Sequence, residues 1–117
     1  MHLLMIGIGG GLGALARYGL VSFVHARTVA FPWGTLAVNA IGCFLIGVVF
    51  ERLSTDARAF VVVGLLGGFT TFSAFGHETV ELLRREQAML ALLNAAGNVV
   101  LGVGAVLLGR AASAMLW

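Results

Sequence analysis

GGFTTFSAFGHE, residues 67–78, is the stretch whose reading decides the fold. It sets a glycine pair and a third glycine, three hydroxyl residues and three phenylalanines inside a long apolar segment. The segment begins as ARAFVVVGLL (57–66), an ordinary apolar helix, and then the pattern breaks. Glycine in a helix interior costs about 1 kcal/mol relative to alanine, so Gly67 and Gly68 weaken the helix there. Thr70, Thr71 and Ser73 carry hydroxyls that bond backbone groups freed by a break. Two readings are open. One is a glycine-containing helix whose hydroxyls bond back to the preceding turn. The other is a helix broken near mid-membrane, which survives only where protein or water covers the backbone. The freed carbonyls would be hard ligands suited to a small alkali cation such as Na⁺. The density of glycine and hydroxyl residues favours the break.

Phe69, Phe72 and Phe75 recur every third residue, which places them on one side of a helix. Such rings either face lipid or turn their positive edges toward a path for a small anion. Glu78 follows three residues after Phe75 and marks the end of such a path or the membrane interface.

The rest of the chain says what surrounds this segment. It has 117 residues, of which 60% are hydrophobic and 10% charged, with a mean hydropathy of +1.03. Soluble domains carry about 25% charged residues, so the solvent for most of this chain is lipid. One proline and no polar low-complexity tract argue against disorder. The basic residues are scattered arginines with no run or nucleic-acid-binding motif, so no nucleic acid partner is expected. Cys43 stands alone, which leaves no disulfide framework and no cysteine metal site. No cleavable leader is expected either, because the first apolar stretch lacks a basic n-region.

A spanning helix needs roughly 20 mostly apolar residues. Four segments meet this, at about 3–24, 33–51, 59–83 and 88–112. HARTVAFP (25–32), ERLSTDAR (51–58) and RREQ (84–87) separate them. Pro32 sits where a helix can begin, and Trp33 and Trp117 lie near span ends, as interfacial aromatics do. The expected fold is an all-α membrane protein, a single domain over 1–117 with four transmembrane helices per subunit, the third broken mid-membrane. Arg52, Arg58 and Arg110 fall on the side of the termini, and Arg27, Arg84 and Arg85 on the other. This balance gives the positive-inside rule no preference, and predicts insertion in both orientations and an antiparallel, dual-topology pair.

GIGGGLGALARYG (7–19) puts Gly7, Gly10, Gly11, Ala14, Arg17 and Tyr18 on a shared face, suited to close helix packing in lipid. A dinucleotide loop would need a preceding strand and an acid about 20 residues on, whereas the first acid is Glu51. Arg17 within a span is costly unless it snorkels to the interface or faces a vestibule or an ion pair. Asn39 lies mid-span, with Thr35, Gly42, Cys43 and Gly47 near its face, and reads either as glue between helices or as a donor aimed into a pathway. Asn94, Asn98 and Gly102 repeat this polar stripe in the fourth span.

GGGLGALARY (9–18), GTLAVNAIGCFLIG (34–47) and GLLGGFTTFSAF (64–75) together resemble the Fluc family of fluoride channels, also called CrcB proteins, in order and spacing. The resemblance implies a dual-topology homodimer with two antiparallel fluoride pathways. It also implies a structural Na⁺ at the subunit interface, held by the backbone carbonyls of Gly67 and Thr70. Phe72 and Phe75 would contact fluoride through their ring edges. Asn39 would be the pore asparagine, Arg17 the vestibule arginine and Glu78 the pore-end glutamate, with Thr71 and Ser73 supplying hydroxyls. Family members often carry a tyrosine and a serine about where Asn94 and Asn98 stand; both positions stay polar here and keep a pore-lining role.

The function implied is passive, selective export of fluoride across the cell (inner) membrane by a multi-pass protein whose partners are fluoride, lipid and its own second copy. No catalytic constellation appears, so no enzyme activity is expected. A small four-span multidrug exporter is the first alternative, but its chemistry needs an acid within the first span, and none precedes Glu51. A non-transporting membrane assembly subunit is the second; it explains the glycine faces but not the polar break.

Overall fold

The computed structural model describes residues 1–27 and 30–117, so part of the first loop, at 28 and 29, lies outside the described residues. The protein is all-helical, with no strand among the described residues. Helix α1 covers His2–His25 and α2 covers Trp33–Val49. The third span, Thr55–Arg84, is composite. It starts as α3 (Thr55–Arg58), widens into a π-helical segment (Ala59–Leu66), tightens again as α4 (Gly67–Phe69), and resumes as α5 (Phe72–Arg84). Helix α6 covers Ala88–Leu116. The first, third and last of these spans are long and apolar enough to cross a membrane. Helix α2 is apolar and has 17 residues, about 25 Å at 1.5 Å per residue.

Local chemistry sets the ends. Ser54 caps the third span by accepting the Ala57 N–H at 3.3 Å, so the helix starts four residues before the 59 expected from hydropathy alone. Helix α5 ends in a turn where Glu86 adopts φ 59°. There the Gln87 N–H bonds Leu82 O at 2.9 Å and the Glu86 N–H bonds Leu83 O at 3.0 Å. This is a Schellman stop made by a glutamate where glycine is usual. Helix α6 continues past Arg110 because its polar groups are satisfied sideways: Arg110 pairs with Glu51, and Ser113 Oγ accepts Arg52 Nε at 3.2 Å.

Helices pack where glycines remove side chains. A Cβ on Gly9 or Gly13 would run into the backbone of Phe60–Leu65 or of Leu65 and Phe69, and one on Gly68 would meet Gly10 O. Thus α1 lies backbone against backbone on the third span, and the wider π-helical turn fits because Gly9 and Gly64 are bare. On the other flank Gly47 of α2 and Gly109 of α6 meet in the same way. The expected face of α1 is corrected in part: Gly10 faces the third span, but Gly7 and Gly11 look into open space, and Gly9 and Gly13 carry the contact.

The antiparallel hairpins bring both termini to one end. There His2 meets Asp56, Arg110 meets Glu51, and Arg58 Nε donates to Phe50 O at 2.9 Å. At the other end Arg27 donates to Phe23 O at 2.8 Å and Arg84 pairs with Glu81 at 2.9 Å. Tryptophans take positions at the two ends: Trp33 packs against Phe31 with the rings tilted by 53° and centroids 4.7 Å apart, and Arg52 lies 5.4 Å over Trp117.

Candidate functional site

The backbone breaks at Thr70 and Thr71, which take extended dihedrals of φ −84°, ψ 159° and φ −151°, ψ 118°. Gly67 and Gly68 stay helical, so the weakness expected at the glycine pair is displaced three residues onward. The reason lies in partners. Gly68 is needed for the close approach to Gly10, whereas a distant side chain compensates the break at Thr71.

That side chain is Asn39 of α2. Its Oδ1 accepts the Thr71 N–H at 2.8 Å, and its Nδ2 donates to Thr71 O at 3.0 Å. One amide thereby satisfies both backbone groups of the residue that left the helix. The second hydrogen of Nδ2 goes to Asn98 Oδ1, also at 3.0 Å, so both donors of Asn39 are engaged within the protein. Thr71 then starts the next helix: its Oγ1 accepts the Ala74 N–H at 3.2 Å, as an N-cap hydroxyl does. Thr71→Val keeps the shape and removes this bond, and is expected to cost about 1 kcal/mol, read as a lower midpoint of thermal unfolding in detergent.

Two donors are thus diverted from carbonyls that would take them in an unbroken helix. The Thr71 N–H would bond Gly67 O and the Ala74 N–H would bond Thr70 O; they go to Asn39 Oδ1 and Thr71 Oγ1 instead. Thr70 turns its own hydroxyl back to Leu66 O at 3.0 Å. Across the break, α5 presents the first N–H groups of a helix, which lack intrahelical partners and form its positive end.

Phe72 and Phe75 stand beside the break as a tilted pair, centroids 5.4 Å apart at 60°. Phe72 is 82% exposed on the single chain. Both rings, with Asn39, Cys43, Thr70, Thr71 and Asn98, line a cleft of about 250 Å³. On the opposite flank a wider cleft of about 650 Å³ is lined by Arg17, Tyr18, Thr35, Thr71, Ser73, His77 and Glu78, among others. Thr71 borders both. The third phenylalanine of the triplet, Phe69, belongs to α4, before the break.

Two pairings were not legible in the sequence. Thr35 Oγ1 donates to Glu78 Oε1 at 2.6 Å, leaving Glu78 Oε2 buried without a partner among the described residues. Thr79 accepts Asn94 Nδ2 at 2.9 Å and donates to Phe75 O at 2.8 Å. Both threonines sit at four-residue steps from singled-out positions: that spacing already set Thr35 near the Asn39 face, though not its pairing with Glu78, and the same step from Phe75 is the signal that would have flagged Thr79.

Residues 4–110 match the family model described as CrcB-like protein, Camphor Resistance (CrcB). A Thermus thermophilus protein named fluoride-specific ion channel FluC is 47% identical over 91% of this chain and 90% of its own. Proteins of the same name from Phocaeicola vulgatus and Methanopyrus kandleri are each 43% identical. They cover 92% and 99% of this chain, and 93% and 92% of their own. With membrane-length apolar helices, a polar break and a family match over nearly its whole length, the chain is a multi-pass integral membrane protein of the cell membrane and belongs to the CrcB family.

Proposed function

We propose that this protein is a fluoride-selective channel that lets fluoride leave the cell passively, working as an antiparallel homodimer with a structural Na⁺. The observation that carries the reading is the break at Thr70–Thr71, bordered by the Phe72/Phe75 pair. The relatives named as fluoride-specific channels supply the ion. The protein acts as a channel and carries out no chemical conversion.

A small, strongly hydrated anion crosses apolar surroundings only if other positive groups replace its water. The positive end of α5, the Ser73 hydroxyl and the edges of Phe72 and Phe75 are the groups near the break that suit this. Arg17 lies in the wide cleft with Ser73 and Glu78, where its charge would raise the local anion concentration. The high exposure of Phe72 suits a pathway completed by a second copy, and the even split of arginines between the two ends suits an antiparallel one.

The carbonyls of Gly67 and Thr70 fit a Na⁺ site, since their helical donors are diverted and they end a half-helix whose C-terminal dipole is negative. When bound, the ion would supply positive charge at that end. Gly67 and Thr70 would hold it through backbone oxygen, so side-chain changes there act through backbone shape.

The test is fluoride efflux from liposomes containing only this purified protein, followed with a fluoride electrode beside a chloride electrode. Fast efflux of fluoride and not chloride is expected, falling about tenfold or more in Phe72→Ala, in which a ring worth roughly 1.4 kcal/mol or more is lost. Efflux no faster than from empty liposomes, from folded protein, would leave the assembly-subunit reading in front.

A further inference from the structure

The hydrogen bond from Asn39 to Asn98 is one step of a longer chain. Asn98 Nδ2 donates to Asn94 O at 2.9 Å and to Asn94 Oδ1 at 3.1 Å. Asn94, whose side chain is wholly buried, donates to Thr79 Oγ1, and Thr79 donates to Phe75 O. The circuit starts at Thr71, the cap of α5, crosses α2 and α6, and returns to α5 at Phe75. Its two ends are backbone groups of fixed character, a donor at the Thr71 N–H and an acceptor at Phe75 O. Every amide between them therefore has one orientation that satisfies the whole circuit.

We propose that Asn98 is a positioning residue. Its Oδ1 holds the Asn39 amide in the orientation that clamps both backbone groups of Thr71, and so holds the Phe72/Phe75 turn at the break. Turning the Asn39 amide over would set Nδ2 against the Thr71 N–H and Oδ1 against Thr71 O, two like-with-like contacts. Asn98 prevents this because its own Nδ2 is committed to Asn94, which leaves only an acceptor for Asn39. The residue touches no ion in this role and acts through Asn39. The effect on conduction rests on the channel reading above; the clamp itself does not.

The substitutions Asn98→Leu and Asn98→Asp test this in the full-length protein. Leucine removes the acceptor and the donor at similar volume. Fluoride efflux is expected to fall about tenfold, the scale of one stranded buried polar group, and the Thr71 amide is expected to exchange with deuterium faster than in wild type. Aspartate separates positioning from packing. Its protonated form offers the same acceptor and donor as asparagine, whereas the ionised form offers acceptors alone and opposes Asn94 O and Oδ1. Efflux through Asn98→Asp should therefore rise toward the wild-type rate as pH is lowered from about 7.5 to about 5.5, relative to wild type at each pH, with burial favouring the neutral acid. Around this position α2 contributes Asn39 and Cys43, the break contributes Thr70 and Thr71, α5 contributes Phe72 and Phe75 and α6 contributes Val99, so among the described residues Cys43 is the titratable neighbour in the cleft. A leucine variant with wild-type efflux and unchanged Thr71 exchange would overturn the proposal, as would an aspartate variant that stays below wild type by the same factor at every pH; an aspartate variant at the wild-type rate throughout would support it, as the neutral acid replacing the amide. Should wild type itself pass no fluoride, the channel reading falls, and Thr71 exchange in the leucine variant still decides the clamp. If the leucine variant does not fold, the aspartate pH profile decides.

Discussion

Asn39→Ala is expected to abolish most fluoride efflux, by about thirtyfold or more. The substitution strands the Thr71 N–H and removes the side-chain bond to the Thr71 C=O, which as the N-cap carbonyl keeps the first bond of α5. Each buried polar group left without a partner costs about 1–3 kcal/mol, and lipid offers no water to replace the amide. That cost together with the bond lost at Thr71 O, about 2–4 kcal/mol, falls on the segment that carries the break, so the break is expected to close into helix or to fluctuate. Asn39→Asp gives the intermediate case. It keeps an acceptor for the Thr71 N–H and loses the donors to Thr71 O and Asn98, so its rate should lie between those of alanine and wild type. Efflux from liposomes at matched protein density measures all three. An alanine variant within twofold of wild type would separate the Asn39 clamp from conduction altogether.

The same residue marks how far the sequence alone carries. Hydropathy located all four helical segments, because a run of apolar residues needs no partner to be recognised. It also located the unusual chemistry of 67–78, since hydroxyls and glycines at that density stand out inside any apolar helix. It placed the weak point at Gly67–Gly68, on the local rule that glycine loosens a helix. The structure breaks three residues later, because the cost of leaving the helix is offset at Thr71 by an amide 32 positions away. Local propensity has no access to that partner. Gly67 and Gly68 stay helical, and Gly68 serves the approach of α1 instead.

Asn39 also shows why the two readings of a mid-membrane amide were not separable beforehand. A buried amide acts as glue between helices or as a donor in a pathway depending on where its hydrogens go. Both hydrogens of Asn39 go to the protein, one of them to the backbone of the very segment that borders the clefts. The polar stripe Asn94–Asn98 was visible through its four-residue spacing, whereas its continuation into Thr79 depends on how α5 and α6 fold back at Glu86. Thr35 and Glu78, 43 positions apart, likewise meet only once the helices are packed.

Gly13→Leu is expected to prevent the subunit from packing, whereas Gly11→Ala leaves it intact. A Cβ on Gly13 would overlap Leu65 O and lie 2.8 Å from Phe69 N, both backbone atoms. Neither swings aside as a side chain would, so α1 must lift off the third span along its length. Overpacking against movable side chains costs about 1–3 kcal/mol, and a collision with backbone exceeds that, since lifting α1 also opens the contacts of Gly9 with Gly64 and of Gly10 with Gly68. In lipid those close contacts are the main force holding the helices together. The yield of folded, detergent-extracted protein should fall about tenfold or more for Gly13→Leu. Gly11, two residues earlier, has open space where a Cβ would sit, so its alanine variant should match wild type in yield and gain slightly from the better helix former. The pair distinguishes a face of α1 from a composition: if both variants fold equally well, α1 does not meet the third span through Gly9 and Gly13, and the wall that supports α4 and the break is built some other way.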